Sequence, residues 1–103
     1  MALDVDHTAA ELEAQLRAAG TPARAEGEKR YLKSELEHFG ATVWQNRRVV
    51  NAFVSQHPEL SREELRALVR ALWSRPVFDC RLAAALLLEA CSELLDPADL
   101  GFL

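Results

Sequence analysis

Apolar residues recur along the chain at helical spacings of three and four, and no run alternates apolar with polar positions for long enough to make a strand. Val5, Ala9, Leu12, Leu16 and Ala19 mark a leading helix, placed at about 8–19, which Gly20 and Pro22 stop. Tyr31, Leu32, Leu36 and Phe39 mark a second helix from about 28 to 39, closed by Gly40. The third opens on Thr42-Val43-Trp44-Gln45, a capping box in which hydroxyl and amide satisfy two orphaned backbone donors, and ends near His57, before Pro58. In the fourth, Ser61 and Glu64 form another capping box, with Leu60 and Leu65 at the staple positions, and the helix reaches about Ser74. After Arg75-Pro76 a fifth runs from about Val77 to Ser92, and its apolar block Leu82–Leu88 predicts burial on most sides. Asp96-Pro97 then reads as a sixth start, left incomplete over 96–103.

These elements predict an all-α fold, a single domain over 1–103, in which antiparallel helix pairs at about 28–57 and 61–92 stack as a HEAT-like α-solenoid. The period supports it: Arg48-Val49-Val50-Asn51-Ala52 lies 33 residues before Arg81-Leu82-Ala83-Ala84-Ala85. The tetratricopeptide signature is absent. Two pairs are few for a solenoid, so the Ala83–Leu88 block is expected to lack the next pair's cover and to invite self-association.

Composition narrows the chemistry. With 103 residues the chain holds one modest core and no deep, many-walled active site. Its longest apolar run, Leu82–Leu88, is too short to cross a bilayer, and the acidic N-terminus is unlike a signal peptide, so neither membrane insertion nor secretion is expected. Cys80 and Cys91, eleven residues apart on one helix, are beyond disulfide reach and read as buried thiols of a reducing compartment. His7, His38 and His57 have no metal-ligand spacing and read as surface or capping histidines, and no phosphate loop or nucleophile elbow appears. No metal and no cofactor are expected.

The net charge of −4 argues against a nucleic-acid partner until its distribution is considered. Residues 1–16 and 82–103 each carry four acids and no base. All 12 bases therefore fall between Arg17 and Arg81 against eight acids, and ten of them are arginine, the better phosphate fork. Arg62, Arg66 and Arg70 line one side of the fourth helix, read either as phosphate contacts or as a solvated face, with the solvated face favoured for this stripe alone. Arg47-Arg48 and Arg81 lie near the starts of the third and fifth helices, where a curved stack of pairs would bring them onto one inner surface. Trp73 reads as turn packing and Trp44 as partly exposed, while Tyr31 sits among Lys29, Arg30 and Lys33. Glu63-Glu64 are helix-start acids, not an acid–base couple.

Three stretches together resemble the DNA alkylation-repair glycosylases of the AlkD type: Glu28-Lys29-Arg30-Tyr31-Leu32-Lys33, Phe39-Gly40-Ala41-Thr42-Val43 with Arg47-Arg48, and Leu72-Trp73-Ser74-Arg75-Pro76-Val77-Phe78-Asp79-Cys80-Arg81-Leu82-Ala83-Ala84. Trp44 departs from the pattern, which often has Pro there. The resemblance implies a HEAT-like superhelix whose basic concave surface grips duplex DNA carrying alkylated purines. It further implies excision of cationic N-alkylated purines, 3-methyladenine and 7-methylguanine, by hydrolysis of the N-glycosidic bond, with no metal and a cytoplasmic or nucleoid location. Carried over residue by residue, the DNA-binding positions are Tyr31, Lys33, Arg47, Arg48 and Arg81. The catalytic Asp of such enzymes lies in a Trp-x-x-x-Asp motif on a later helix, so the chain is expected to be an N-terminal portion with no catalytic residue of its own. The rival reading from the residues is a non-catalytic helical-repeat module that binds a protein partner.

Overall fold

A computed structural model describes residues 3–94 as five α-helices: α1 (Val5–Ala19), α2 (Pro22–Leu32), α3 (Val43–Gln56), α4 (Arg62–Trp73) and α5 (Phe78–Ala90), followed by a short 3-10 turn, Ser92–Leu94. There is no β-strand among the described residues, and no helix there is long and apolar enough to cross a membrane. Both capping boxes form: Thr42 accepts from the Gln45 amide while Gln45 accepts from Thr42, and Ser61 and Glu64 do the same. The sixth start at Asp96 lies outside the described residues.

Burial decides which helices build the core. Leu65, Leu68, Val69 and Leu72 of α4 are fully enclosed, each contributing about 2 kcal/mol. They meet Ala9, Leu12 and Leu16 of α1, Val50 and Phe53 of α3, and Cys80, Ala83, Ala84 and Leu87 of α5. α4 packs on α1 and α5, and α3 also packs on α1 and α5, which closes a ring of four. α1 and α4 start together, because the Glu64 carboxylate accepts from the Leu3 amide at 2.8 Å. α3 and α5 run alongside in the same direction: Asn46 meets Asp79 near their starts, and Val54 and Ser55 share a cleft with Ala90 and Cys91 at their ends.

The second helix differs from its sequence expectation. It occupies Pro22–Leu32 and not 28–39, because Thr21 caps the Arg24 amide and Pro22 takes the first helical position. Lys33 ends it in the left-handed region at φ 51°, a conformation costing about 1–2 kcal/mol in a non-glycine residue. Residues 34–42 are then non-helical, and Glu37 pairs with the α4–α5 turn through Glu37 N–H to the Pro76 carbonyl (3.0 Å) and Phe78 N–H to the Glu37 carbonyl (2.8 Å). Leu36 and Phe39 have helical spacing only by coincidence, since they lie in a non-helical segment. The expected pairing of the second helix with the third also fails: α2 buries no residue, and the helix that packs with α3 beside the α4/α5 pair is α1.

A contact at Glu28 and the close passage of backbone before its start hold α2 in place. The His38 ring, enclosed and stacked on Phe78 at 4.7 Å between centroids, bonds Glu28 through Nδ1 at 2.7 Å. His38 is thus a packing histidine, unlike surface-exposed His7 or His57 at the end of α3. Gly20 and Gly40 (φ 82°) let two backbones touch: a Cβ on Gly20 would strike the Phe39 carbonyl, and one on Gly40 the Thr21 carbonyl.

The centre of this arrangement is Asp79, which has no exposed surface. Its Oδ2 accepts from the Phe39 amide at 2.8 Å and its Oδ1 from Asn46 Nδ2 at 3.2 Å, while the same Nδ2 also donates to the Thr42 carbonyl at 3.1 Å. One carboxylate therefore ties the 34–42 segment, α3 and α5 together. Asn46 and Asp79 are also 33 residues apart, and the next buried pairs in that register, Val50 with Ala83 and Phe53 with Leu86, follow it. The expectation of an uncovered block on α5 is overturned, since Ala83, Ala84, Leu86, Leu87 and Leu88 are all buried within the chain, which removes the reason given for self-association.

Two stability predictions follow from these bonds. Asp79→Ala strands two buried donors at about 1–3 kcal/mol each, so its urea midpoint should fall by the equivalent of about 3 kcal/mol, whereas Arg30→Ala, which removes an exposed pair with Glu26, should barely move it. Glu64 accepts from the Ser61 and Leu3 amides, and these bonds hold its carboxyl below the ordinary glutamate range. A lowered folded-state pKa gives stability that is present above the unfolded value and lost as pH falls through the folded one. Denaturant midpoints measured from neutral to acid pH should therefore drop less steeply in Glu64→Gln than in the parent.

Candidate nucleic-acid interface

The buried side of α3 carries Asn46, Val50 and Phe53, so at about 100° per residue its opposite side must carry Trp44, Arg48, Asn51 and Ser55. All four are exposed. On α5 the corresponding outward ridge is Arg81, Ala85 and Glu89, and the two ridges lie side by side because the helices pack. Arg47 spans them, its guanidinium 2.8 Å from the Glu89 carboxylate with both side chains about half exposed or more (48% and 64%). Such a pair is worth under about 1 kcal/mol and yields readily to a phosphate.

Arg48 and Arg81 occupy the same place in the 33-residue register, and each lies over a tryptophan. The Arg48 guanidinium is 5.0 Å from the Trp44 ring centroid, and that of Arg81 is 5.4 Å from Trp73. Arg81 is held further by bonds from Nε to the Trp73 and Arg75 carbonyls at 3.1 and 3.3 Å, which cap the last turn of α4. Arg48 has no carboxylate partner among the described residues. Trp44 and Trp73 keep 64% and 46% of their surface exposed, so Trp73 is less enclosed than turn packing alone would require.

Tyr31 and Lys33 sit apart from this pair of ridges, at the end of α2, with Tyr31 86% exposed and Lys33 forming the left-handed cap. They precede Glu37, which joins the start of α5, but no hydrogen bond or ion pair links them to the three arginines among the described residues. Arg62, Arg66 and Arg70 lie on α4, in the layer shared with α1, and each already has a partner. The sequence did not single out Asn46 and Asp79 as the pair that sets these ridges in register. The acid of the Leu72–Ala84 stretch was visible there, but its partners were not.

Catalytic groups are scarce. No cluster of His, Cys, Asp or Glu among the described residues could hold a metal ion. Asp79 is committed to two hydrogen bonds away from solvent. Burial pushes the Cys80 thiol up to about 12, aided by the nearby Glu13 carboxylate, and raises Cys91 as well, which leaves both protonated and poorly nucleophilic. Both are free thiols and enclosed. A thiol reagent at pH 8 should therefore label them far more slowly in the native protein than in urea. Labelling at equal rates would contradict this packing.

The arrangement defines a helical domain that presents ordered arginines beside exposed aromatic rings and lacks a metal-binding cluster among the described residues. A family model for the DNA alkylation repair enzyme matches residues 12–103, and the chain belongs to that family. No curated protein and no solved structure matches it significantly.

Proposed function

We propose that this chain grips the backbone of duplex DNA in alkylation repair, using the α3/α5 face as the inner surface of a HEAT-like stack. In this reading α1 with α3 forms one helical pair and α4 with α5 the next, α2 being an outlying helix that carries Tyr31 and Lys33 to the edge of the face. The observation that carries it is the repetition of a tryptophan-backed arginine at 48 and 81 on neighbouring parallel helices, with Arg47 between. Stacking on indole restricts the guanidinium without neutralising it, which suits a phosphate contact.

The reaction served is release of cationic N-alkylated purines, 3-methyladenine and 7-methylguanine, by hydrolysis of the N-glycosidic bond. The lesion's positive charge weakens that bond, so a repair protein of this kind needs mainly a firm hold on the backbone and a carboxylate beside the oxocarbenium-like sugar. These 103 residues contain no Trp-x-x-x-Asp, since Arg48 and Val77 stand four residues after the two tryptophans. The part assigned to them is the hold, through Arg47, Arg48 and Arg81 with Tyr31 and Lys33.

Salt dependence separates this reading from a module that binds a protein. Four phosphate contacts, from Lys33 and the three arginines, correspond to a slope of about −3.6 in log affinity against log salt, or a loss of about 150-fold between 50 and 200 mM salt. Replacing Arg47 and Arg48 together with Ala should flatten the slope by about two and weaken duplexes of different sequence alike, because backbone contacts carry no sequence information. Absence of duplex binding at low salt would contradict the proposal, and selective loss of one sequence would contradict the backbone mode.

A further inference from the structure

Trp44 is a large aromatic that the fold does not use. It contributes nothing to the core, has 64% of its surface exposed, and stands in the first turn of a helix whose cap is already complete through Thr42 and Gln45. One face of the ring is fixed by the Arg48 guanidinium at 5.0 Å. An exposed indole beside an ordered cation matches the chemistry of one nucleotide: a π-face for the base and a guanidinium for its phosphate.

Base pairing limits which nucleotide can use it. Within a duplex, bases cover one another's faces, and an indole on the rim of a backbone-binding surface meets only sugar and phosphate. A base that has lost its partner can leave the stack at small cost and lie on another ring. We infer that Trp44 and Arg48 form a platform for an unpaired nucleotide, the base stacking on the open indole face while Arg48 holds its phosphate. The inference rests on the backbone-gripping reading above and adds a preference for DNA in which one base is unpaired. Trp73, the ring beneath Arg81, is less exposed at 46%, and its arginine is tied to two carbonyls of the α4–α5 turn, which makes Trp44 the more accessible of the two rings.

The test compares a fully matched duplex with the same duplex carrying one unpaired adenine, both bound by the full chain at one salt concentration. Stacking of a single base predicts a bulged-to-matched affinity ratio of about five or more. Trp44→Ala should return the ratio to about one, whereas Trp44→Phe, which keeps an aromatic face, should retain most of it; thermal melting of both variants establishes that they fold. Tryptophan fluorescence should also be quenched more by the bulged duplex, and the extra quenching should vanish in Trp44→Phe. A ratio near one in the parent, or a ratio that survives Trp44→Ala, overturns the platform while leaving the backbone grip intact. Failure to bind either duplex overturns the backbone grip, and the platform with it.

Discussion

The Asp79 carboxylate is the point on which the rest of the molecule is aligned. A charge without solvent is costly unless its oxygens are occupied, and here two donors 40 and 33 residues earlier in the chain, the Phe39 amide and the Asn46 side chain, occupy them. Because those donors belong to different segments, satisfying one acid fixes three pieces of backbone at once: the non-helical stretch after α2, the start of α3 and the start of α5. Hydrophobic burial drives the collapse of α1, α3, α4 and α5, but it is not directional. The carboxylate supplies the direction. With the starts of α3 and α5 pinned together, their outward ridges must run in step, and that places Arg48 and Arg81 in equivalent positions along the same face.

Rigidity near this point is reinforced by small, specific contacts. Glu37 adds two backbone bonds to the α4–α5 turn, His38 stacks on Phe78 while bonding Glu28, and Gly20 and Gly40 allow the chain to pass over itself without side chains intervening. Arg17 lies over the Phe39 ring at 4.3 Å and closes the outer side. The consequence for function is that an otherwise coreless helix, α2, is carried at a defined place, and its exposed Tyr31 and Lys33 with it. Chain-wide acidity does not oppose a nucleic-acid partner in such an arrangement, since a ligand responds to the local field of the face it approaches.

Local signals in the sequence were strong enough to place α3, α4 and α5. Each capping box is encoded within four residues, and the apolar period of α4 is unbroken. The failures concern what local signals do not carry. Pro22 both follows the stop at Gly20 and opens α2 behind the Thr21 cap, and the apolar period reveals only the stop. Leu36 and Phe39 sit at helical spacing in a non-helical segment whose Glu37 bridges a partner 40 residues away, at Val77. His38 reads as a surface or capping histidine in the sequence because its stacking partner, Phe78, is equally distant there. The arginines of the candidate face were legible as a repeat at 48 and 81, and the family was legible in the residues around them. Their tryptophan backing and the buried acid that sets their register needed three-dimensional contacts.

Mapping the amide resonances of the protein during titration with a short duplex tests the proposed grip on DNA by the α3/α5 face. The amides of Arg47, Arg48, Asn51, Arg81 and Ala85 should shift first and most, with smaller changes at Tyr31 and Lys33 and little change along the acidic start of α1. Shifts concentrated on α1 and the exposed side of α4, with the α3/α5 ridges unmoved, would contradict it.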